Sequence, residues 1–223
     1  MQLNEKVEVL KKTPIFSSLN EAELKKLARI TIERSLKPGE FLVFEKDLPK
    51  YIYIVGEGKM KVFIPSSMGK EFILDFFYPG HLLGPISIFC SRASSASAQS
   101  VTQARVLGIK KEEFMLFISR NPQVSLSIIR ILAAQIRALT RRLKDLACER
   151  VEQRLARTLL ILSTKLGPNI NITRHELAEM IGATTETVIR ILSSLKKKKI
   201  IASVRGKTII LDEVRLRLLS EGL

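Results

Sequence analysis

The sequence has few of the side chains that build metal centres and covalent active sites. Its 223 residues include two cysteines, two histidines and no tryptophan. Cys90 and Cys148 lie far apart and form no Cys-x-x-Cys pair, so we predict no metal site and no structural zinc. These residues also supply no catalytic triad or dyad. We therefore predict that the protein is not an enzyme.

Long apolar runs are absent as well. No run approaches the roughly 18 residues of a membrane span, and residues 1–12 mix charged with apolar side chains instead of forming a secretory signal. Together with the scarcity of cysteine, these features predict a cytoplasmic protein.

Acidic residues are scarce relative to basic ones. The chain has 22 Asp and Glu against 37 Lys and Arg, a formal net charge of +15 at pH 7. Such an excess suits a polyanionic partner, because lysine and arginine displace the counterions of nucleic-acid phosphates. A generally basic protein would show the same composition, so a motif has to support this interpretation.

Residues 172–195 carry such a motif, a predicted helix-turn-helix. Thr173 and Glu176 form a capping box that starts the first helix. Gly182 allows a left-handed turn residue, and Thr184 is the predicted N-cap of the second helix. An ordinary helical hairpin, the alternative, would not need caps, turn and apolar positions in register. The predicted buried positions are Leu177, Ala178, Ile181, Val188, Ile191, Leu192 and Leu195.

The segments around this motif complete a winged domain, predicted over residues 148–223. An amphipathic helix precedes the motif and stops at Gly167-Pro168. A β-hairpin, the wing, follows the motif, and then a last helix begins at Asp212 as its cap. The predicted bounds are 151–166 for the first helix, 200–204 and 208–211 for the strands with a turn at 205–207, and 212–219 for the last helix.

The N-terminal part, predicted as one domain over residues 1–120, is rich in short strands. Residues 1–30 are predicted to be helical, with a capping box at Asn20 and Glu23. Beyond them, alternating or β-branched runs separated by turn signals are typical of an antiparallel barrel or jelly roll. A Ser/Ala-rich segment over 84–97, opened by a short turn or helix, breaks this rhythm. The predicted strands are 41–44, 51–55, 61–64 and 72–78, with turns at 38–39, 56–58, 66–69 and 79–80.

A long helix over residues 121–147 is predicted between these two domains, after a short helix over 111–117. Pro122 favours its first turn, and its apolar residues recur at spacings of three and four. Such a heptad seam is typical of a parallel homodimer, the alternative being a core helix within one chain. A hinge is predicted at 147–150. The seam residues are Ile129, Leu132, Ile136, Leu139, Leu143 and Leu146.

Further motifs stand in a recognisable order: Pro38-Gly39, Val55-Gly56-x-Gly58, Pro79-Gly80-x3-Gly84, Asn121-Pro122 and residues 172–195. Over nearly the whole chain they resemble the Crp/Fnr family of bacterial transcription regulators, which includes the cyclic-AMP receptor protein. The resemblance implies an α+β fold with an N-terminal antiparallel β-roll (a jelly roll, cyclic-nucleotide-binding-like), a long dimerisation helix and a C-terminal winged helix-turn-helix. It also implies a homodimer that binds palindromic double-stranded DNA, and RNA polymerase if it activates transcription.

The resemblance further implies that the second helix of the motif reads bases. Glu186 and Arg190 occupy the family positions that read a TGA-type half-site. They lie four residues apart on one helix face, where Arg can pair with guanine and Glu can accept from cytosine. A surface salt bridge between them is the alternative. Thr185 occupies a third reading position, and Ile189 could contact a thymine methyl group.

Phosphate contacts are expected at the helix starts and on the wing, where amides and hydroxyls meet the DNA backbone. The lysines at 196–199 either contact phosphate too or form a solvated helix end. In an alternative function, the protein is an effector-binding module whose helix-turn-helix makes only protein contacts. The expected phosphate contacts are Thr173, Arg174, Thr184, Thr187 and Lys207.

The sequence leaves open which signal the β-roll senses. Relatives that respond to cyclic AMP carry a Gly-Glu and an Arg-Ser pair, whereas this chain has Gly84-Pro85 and Ser95-Ala96. Cyclic AMP is therefore disfavoured, and the absence of cysteine from residues 1–30 disfavours the family's iron–sulfur cluster. The expected small-molecule pocket comprises Gly84, Pro85, Ile86, Arg92, Ser94, Ser95, Leu139 and Thr140.

Two other kinds of sensor are alternatives. His81 could ligate haem in a gas sensor, or serve as a hydrogen-bonded loop histidine. Cys90 and Cys148 could act as redox-active thiols, although Cys90 could equally be a small buried apolar residue. In each case, the effector is expected to shift a population of states through the long helix and its hinge.

Overall fold

The computed structural model describes residues 1–48, 50–66, 71–90, 92–204 and 207–222, without the side chains of Pro85 and Val204. Two of the predicted turns, at 66–69 and 205–207, lie partly outside these residues. The chain divides into two compact units, residues 1–135 and 136–223. Within the described ranges, no helix has both the length and the apolar character needed to cross a membrane.

The first unit begins with two helices whose apolar faces join its core. Helix α1 spans Leu3–Lys11 and α2 spans Glu21–Arg29, with a 3-10 turn between them. The Glu23 amide donates to Asn20 Oδ1 at 3.0 Å, and the Asn20 amide donates to Glu23 Oε2 at 2.8 Å. The predicted capping box of α2 is therefore confirmed.

Two antiparallel four-stranded sheets form the β-roll, which confirms the predicted jelly-roll architecture. The strands are β1 (Ile32–Leu36), β2 (Phe41–Val43), β3 (Tyr51–Glu57), β4 (Met60–Pro65), β5 (Glu71–Phe77), β6 (Leu82–Leu83), β7 (Ser97–Ser100) and β8 (Ala104–Lys110). One sheet has the order β1-β8-β3-β6 and the other the order β2-β7-β4-β5. The four strands expected from alternation correspond to β2 to β5.

The Ser/Ala-rich segment opens with the expected short helix and ends in a strand that was not expected. Helix α3 spans Pro85–Cys90, and β7 begins at Ser97, where the segment was expected still to interrupt the strand pattern. The Ser-Ala-Gln-Ser sequence of β7 lacks large alternating side chains, so alternation could not reveal it. It nevertheless pairs with β2 on one side and β4 on the other.

Two further helices follow the β-roll. Helix α4 spans Lys111–Arg120 and extends beyond its predicted end, while α5 spans Pro122–Cys148 and begins at the predicted proline. Val124 and Ile128, in the first turns of α5, are buried in the core of the first unit. The remaining length of α5 carries the predicted heptad seam.

The second unit contains the predicted winged helix-turn-helix. Its elements are α6 (Val151–Leu166), β9 (Asn169–Ile170), α7 (Arg174–Ile181), α8 (Thr185–Lys197), β10 (Ile201–Val204), β11 (Lys207–Ile210) and α9 (Glu213–Glu221). Helix α6 ends at Gly167, whose φ is +81°. Asp212 caps α9 by accepting from the Arg215 amide at 2.9 Å. Strand β9 completes the sheet β10-β11-β9 and was not predicted, because two residues are too few to show alternation.

Candidate nucleic-acid interface and sensing cavity

Short-range hydrogen bonds set the geometry of α7 and α8. The Glu176 amide donates to Thr173 Oγ1 at 3.1 Å, and the Thr173 amide donates to Glu176 Oε2 at 2.7 Å. Gly182 has φ +63° and ψ +49°, the left-handed conformation that the turn requires. The Thr187 amide donates to Thr184 Oγ1 at 3.2 Å. The predicted capping box, turn and N-cap are therefore all confirmed.

Apolar side chains hold the two helices together. All the predicted buried positions are buried except Ile191, which is half-buried. The small Ala178 side chain on α7 lets the helices approach closely. The buried residues of the pair are Leu177, Ala178, Ile181, Val188, Leu192 and Leu195.

The opposite face of α8 carries the expected base-reading residues. Glu186 and Arg190 are exposed and Thr185 is half-buried. Ile189 exposes 39% of its surface. The Ile189 side chain is therefore accessible for contact with a partner.

The expected phosphate-contacting residues are also accessible to solvent. Thr173, Arg174, Thr184 and Lys207 are exposed, and Thr187 is half-buried. Thr173 and Thr184 stand at the N-termini of α7 and α8, where amides without intrahelical partners favour anions. These positions are therefore accessible to solvent at two helix N-termini and on the wing.

A contact that the sequence analysis missed joins α7 to α8. His175 Nδ1 lies 3.3 Å from Thr185 Oγ1, and His175 Nε2 lies 3.3 Å from Glu179 Oε1. The spacing of His175 and Glu179 was visible in the sequence, since residues four apart share a helix face. The contact with Thr185 arises only once the turn brings the two helices together.

Two arginines outside the motif bind the C-terminal end of α7. Arg142 Nη2 donates to Met180 O at 2.8 Å, and Arg154 Nε donates to Ile181 O at 3.1 Å. The last carbonyls of a helix have no intrahelical donor. Arg154 Nη1 also donates to Glu149 O at 2.9 Å. The turn between α5 and α6, part of the predicted hinge, is thereby tied to the helix-turn-helix.

Arg157 connects the same turn to α9. Its guanidinium donates to the carboxylates of Asp145 and Glu149 and to the carbonyl of Ser220. Burial lowers the pKa of Arg157, but its hydrogen bonds with the two carboxylates outweigh burial and raise the pKa above its usual value. Arg157 therefore stays charged and balances Asp145, which is only 8% exposed. No sequence pattern identifies this network, because Arg157 lies on a different helix from Asp145, Glu149 lies in the turn between the two helices, and Ser220 is 63 residues further along the chain.

A cavity of about 620 Å³ lies in the first unit. Its apolar lining comes from both sheets of the β-roll, and its polar lining includes Lys46, Lys50, Ser87 and Gln135. The apolar lining residues are Leu42, Val43, Leu48, Tyr51, Tyr53, Val62, Leu74, Phe77, Leu82, Leu83, Ile86, Ala96 and Ala98. The volume and mixed lining are typical of small-molecule sites.

Some of the expected pocket residues line this cavity and others do not. Gly84, Ile86, Ser94 and Ser95 line it, whereas Arg92 does not. Leu139 and Thr140 belong to the second unit, and the Pro85 side chain lies outside the described part of the chain. An effector contact by Arg92 therefore stays a prediction.

A hydrogen-bonded loop forms one wall of the cavity. The Lys46 amide donates to Ser94 O at 2.8 Å, and the Ser94 amide donates to Asp47 O at 2.8 Å. Lys46 has φ +72°, an uncommon left-handed conformation for a residue with a Cβ atom.

Burial raises the pKa of Tyr53, and the positive charge of Arg34 offsets part of that rise.

His81 and the two cysteines are the candidates for the other kinds of sensor. His81 Nδ1 accepts a hydrogen bond from the Tyr78 amide at 3.1 Å, and His81 is not among the cavity-lining residues. Cys90 and Cys148 are both exposed free thiols, so the interpretation of Cys90 as a small buried residue is wrong. Among the described residues, no three His, Cys, Asp or Glu side chains are arranged to hold a metal ion.

The heptad seam of α5 forms an exposed apolar stripe. Ile136 and Leu143 expose 64% and 68% of their surfaces, which is unusual for large apolar side chains at regular spacing. Leu132 is partly buried against the core of the first unit. The other exposed members of the stripe are Ile129 at 59%, Leu139 at 47% and Leu146 at 40%.

Known proteins share both halves of this architecture. Residues 33–121 match the cyclic nucleotide-binding domain, and residues 153–219 match the Crp-like helix-turn-helix domain. The chain is 31% identical to the cyclic AMP receptor protein of Thermus thermophilus, over 96% of this chain and 100% of the relative. It is 25% identical to a CRP-like cAMP-activated global transcriptional regulator of Mycobacterium tuberculosis, over 92% of this chain and 95% of the relative.

A solved structure shares the fold at lower identity. The structure of a CooA mutant from Carboxydothermus hydrogenoformans matches with a TM-score of 0.80 and 18% identity, over 95% of each chain. The chain therefore belongs to the Crp/Fnr family of transcription regulators. It is a Crp-like DNA-binding regulator with a cyclic-nucleotide-binding-type sensing domain, and its family consists of regulators, not enzymes.

Proposed function

We propose that this regulator is a homodimer that reads an inverted repeat with a TGA-type half-site and responds to a signal sensed in the β-roll. The observation that carries the proposal is the exposed face of α8. Glu186 and Arg190 stand on it four residues apart. Exposed hydroxyls and charges surround the starts of α7 and α8.

The chemistry of this face suits bases in the major groove. The Arg190 guanidinium can donate to O6 and N7 of one guanine, while Glu186 can accept from N4 of a cytosine. The two side chains lie about one helical turn apart and can address neighbouring base pairs. Ile189, 39% exposed between them, can contact a thymine methyl group.

Backbone contacts would hold this face in the groove. The hydroxyls of Thr173, Thr184 and Thr187 and the charges of Arg174 and Lys207 are placed for phosphate oxygens. The lysines at 196–199 are exposed at the end of α8 and can add sequence-independent attraction. The formal charge of +15 supports such contacts across the chain.

The stripe on α5 supports a parallel dimer in which the occupant of the stripe is a second copy of this chain. Its members follow a strict heptad pattern, which matches two like helices better than an irregular surface. Burial of these exposed side chains against identical ones would remove them from water. A two-fold dimer would place two recognition helices on two half-sites of a palindrome.

The cavity of the first unit is the proposed effector site. Gln135 lines it and directly precedes Ile136 of the stripe, so a ligand there would contact the helix that carries the dimer seam. A cyclic nucleotide matches these residues poorly, because proline follows Gly84 and lacks both an N–H and a carboxylate. The Ser94 hydroxyl also donates to Ala96 O at 2.7 Å. We therefore propose that the effector is a different small molecule.

If the protein activates transcription, we propose that it also contacts RNA polymerase.

The test is binding to a duplex that carries TGA and its inverted copy, with half-sites about 10 base pairs apart. We expect the wild-type protein to prefer it to a scrambled duplex, and Arg190→Ala to lose about tenfold to a hundredfold of that preference. Arg217→Ala is the matched control, because Arg217 is exposed on α9 and pairs with Glu213 at 2.7 Å.

Fluorescence anisotropy at several salt concentrations separates specific from general attraction. A preference that survives in Arg190→Ala would contradict the assigned reading role. If the wild-type protein shows no preference for any duplex, either the effector-free protein is in its inactive state or the helix-turn-helix serves protein contacts instead.

A further inference from the structure

His175 contacts both Glu179 and Thr185, and its contact with Glu179 bears on which ring nitrogen carries the imidazole proton. His175 presents Nε2 to a carboxylate oxygen of Glu179 and Nδ1 to the Thr185 hydroxyl, each at 3.3 Å. The Glu179 side chain is 12% exposed, whereas the His175 side chain is 71% exposed. The imidazole is therefore placed by a largely buried carboxylate on its own helix.

The position of the imidazole proton follows from this arrangement. A carboxylate can only accept hydrogen bonds, so Glu179 favours the tautomer in which Nε2 carries the ring proton. In the neutral imidazole, Nδ1 is then left as an acceptor. When the imidazole is neutral, the Thr185 hydroxyl therefore donates its one proton to His175 Nδ1.

This donation limits what Thr185 can do at the DNA. A threonine hydroxyl is normally both a donor and an acceptor, and it can read either kind of base edge. With its proton directed to His175, only its oxygen lone pairs remain available to a base. In the major groove, adenine N6 and cytosine N4 are donors, whereas guanine and thymine offer acceptors.

We infer that His175, held by Glu179, is a positioning residue that makes Thr185 selective for bases presenting an amino group. The inference rests on the proposed function, since it assumes that Thr185 reaches a base edge. It adds a determinant of specificity that lies on α7 and not on the recognition helix. A different role for His175, direct contact with phosphate beside Arg174, would weaken binding to all sequences equally.

The experiment compares four duplexes that differ only at the base pair addressed by Thr185. Thr185→Val removes the hydroxyl with little change of shape. The position of the half-site at which this variant no longer discriminates between bases is the pair that Thr185 addresses. On the DNA strand that Thr185 contacts, we expect the wild-type protein to prefer adenine or cytosine to guanine or thymine by about fivefold, the size of one net hydrogen bond. In His175→Ala, the preference should fall below about twofold.

Three further variants control for other causes. Glu179→Ala should reduce the same preference, whereas Thr185→Ser, which keeps a hydroxyl, should retain it. Arg174→Ala should weaken binding to all four duplexes and leave their ratio unchanged. Circular dichroism of each variant establishes that the helices remain folded.

An unchanged ratio in His175→Ala, or a uniform loss like that of Arg174→Ala, would overturn the inference. So would a Thr185→Val variant that alters no position. In each of these cases, wild-type discrimination at the pairs read by Arg190 would show that the proposed function itself still holds. Loss of all discrimination by the wild-type protein would instead refute the proposed function.

Discussion

The helix-turn-helix and the cavity of the β-roll are assembled in opposite ways. The helix-turn-helix occupies one contiguous stretch, residues 172–195, and its caps join residues three apart. The cavity takes its lining from segments between Leu42 and Gln135, on both sheets of the β-roll. Local capping and turn rules therefore specify the first site, whereas the second depends on the register of strands that are distant in sequence.

The stripe on α5 combines both modes of assembly. Its spacing is local and visible in the sequence, but its proposed role requires a second chain.

The largest effect is expected from a charge in the stripe. Ile136→Glu should weaken dimerisation by more than about a hundredfold, because the carboxylate would be buried in the interface without a partner. Analytical ultracentrifugation measures the change directly. Val214→Glu is the control, since Val214 is 71% exposed on α9 and lies outside the stripe. A variant Ile136→Glu that stays fully dimeric would place the dimer contact elsewhere.

Loss of Arg157 should have a smaller effect, on the stability of the second unit. Arg157→Ala leaves Asp145 and Glu149 without their shared counter-charge, and we expect the free energy of unfolding to fall by about 3 kcal/mol. Arg217→Ala removes an exposed ion pair and should cost less than about 0.5 kcal/mol. Urea denaturation compares the two. Equal losses would mean that the DNA-reading surface needs no support from distant residues.

The smallest effect concerns Tyr53 in the cavity. Burial holds its pKa above the value of an unfolded chain, so the folded state keeps the phenol proton more tightly. This contribution to stability is complete below the unfolded pKa, about 10, and is lost as the pH rises through the folded pKa. After allowance for solvent screening, it amounts to less than about 1 kcal/mol.

Tyrosinate absorbance during an alkaline titration tests this prediction, with Tyr53→Phe as the control. A tyrosine titration above the usual pKa of about 10 should disappear in that variant, and its alkaline loss of stability should be smaller. If the titration that Tyr53→Phe removes lies at or below that value instead, the phenol would not be shielded in the cavity.

The features that the sequence predicted correctly are those with local causes. The capping box at Thr173, the turn at Gly182 and the end of α6 at Gly167 each depend on a few neighbouring residues. The strands β2 to β5 follow from alternation, and the start of α5 follows from Pro122. The order of these elements then led to the family.

The features that the sequence missed depend on contacts between distant segments. Strand β9 is too short to show a pattern, and β7 lacks large side chains. Arg157 and His175 likewise acquire their roles only when the helices have packed. Capping and periodicity rules describe neighbouring residues only, so they cannot predict such contacts.

Selection of DNA from a random pool by the wild-type protein is the first measurement to make on the proposed dimeric, TGA-reading regulator. We expect enrichment of a two-fold symmetric site in which TGA and its inverted copy are about one helical turn apart. Each selected duplex should bind two chains. Enrichment of an unpaired half-site, or of a symmetric site without the TGA element, would contradict this proposal.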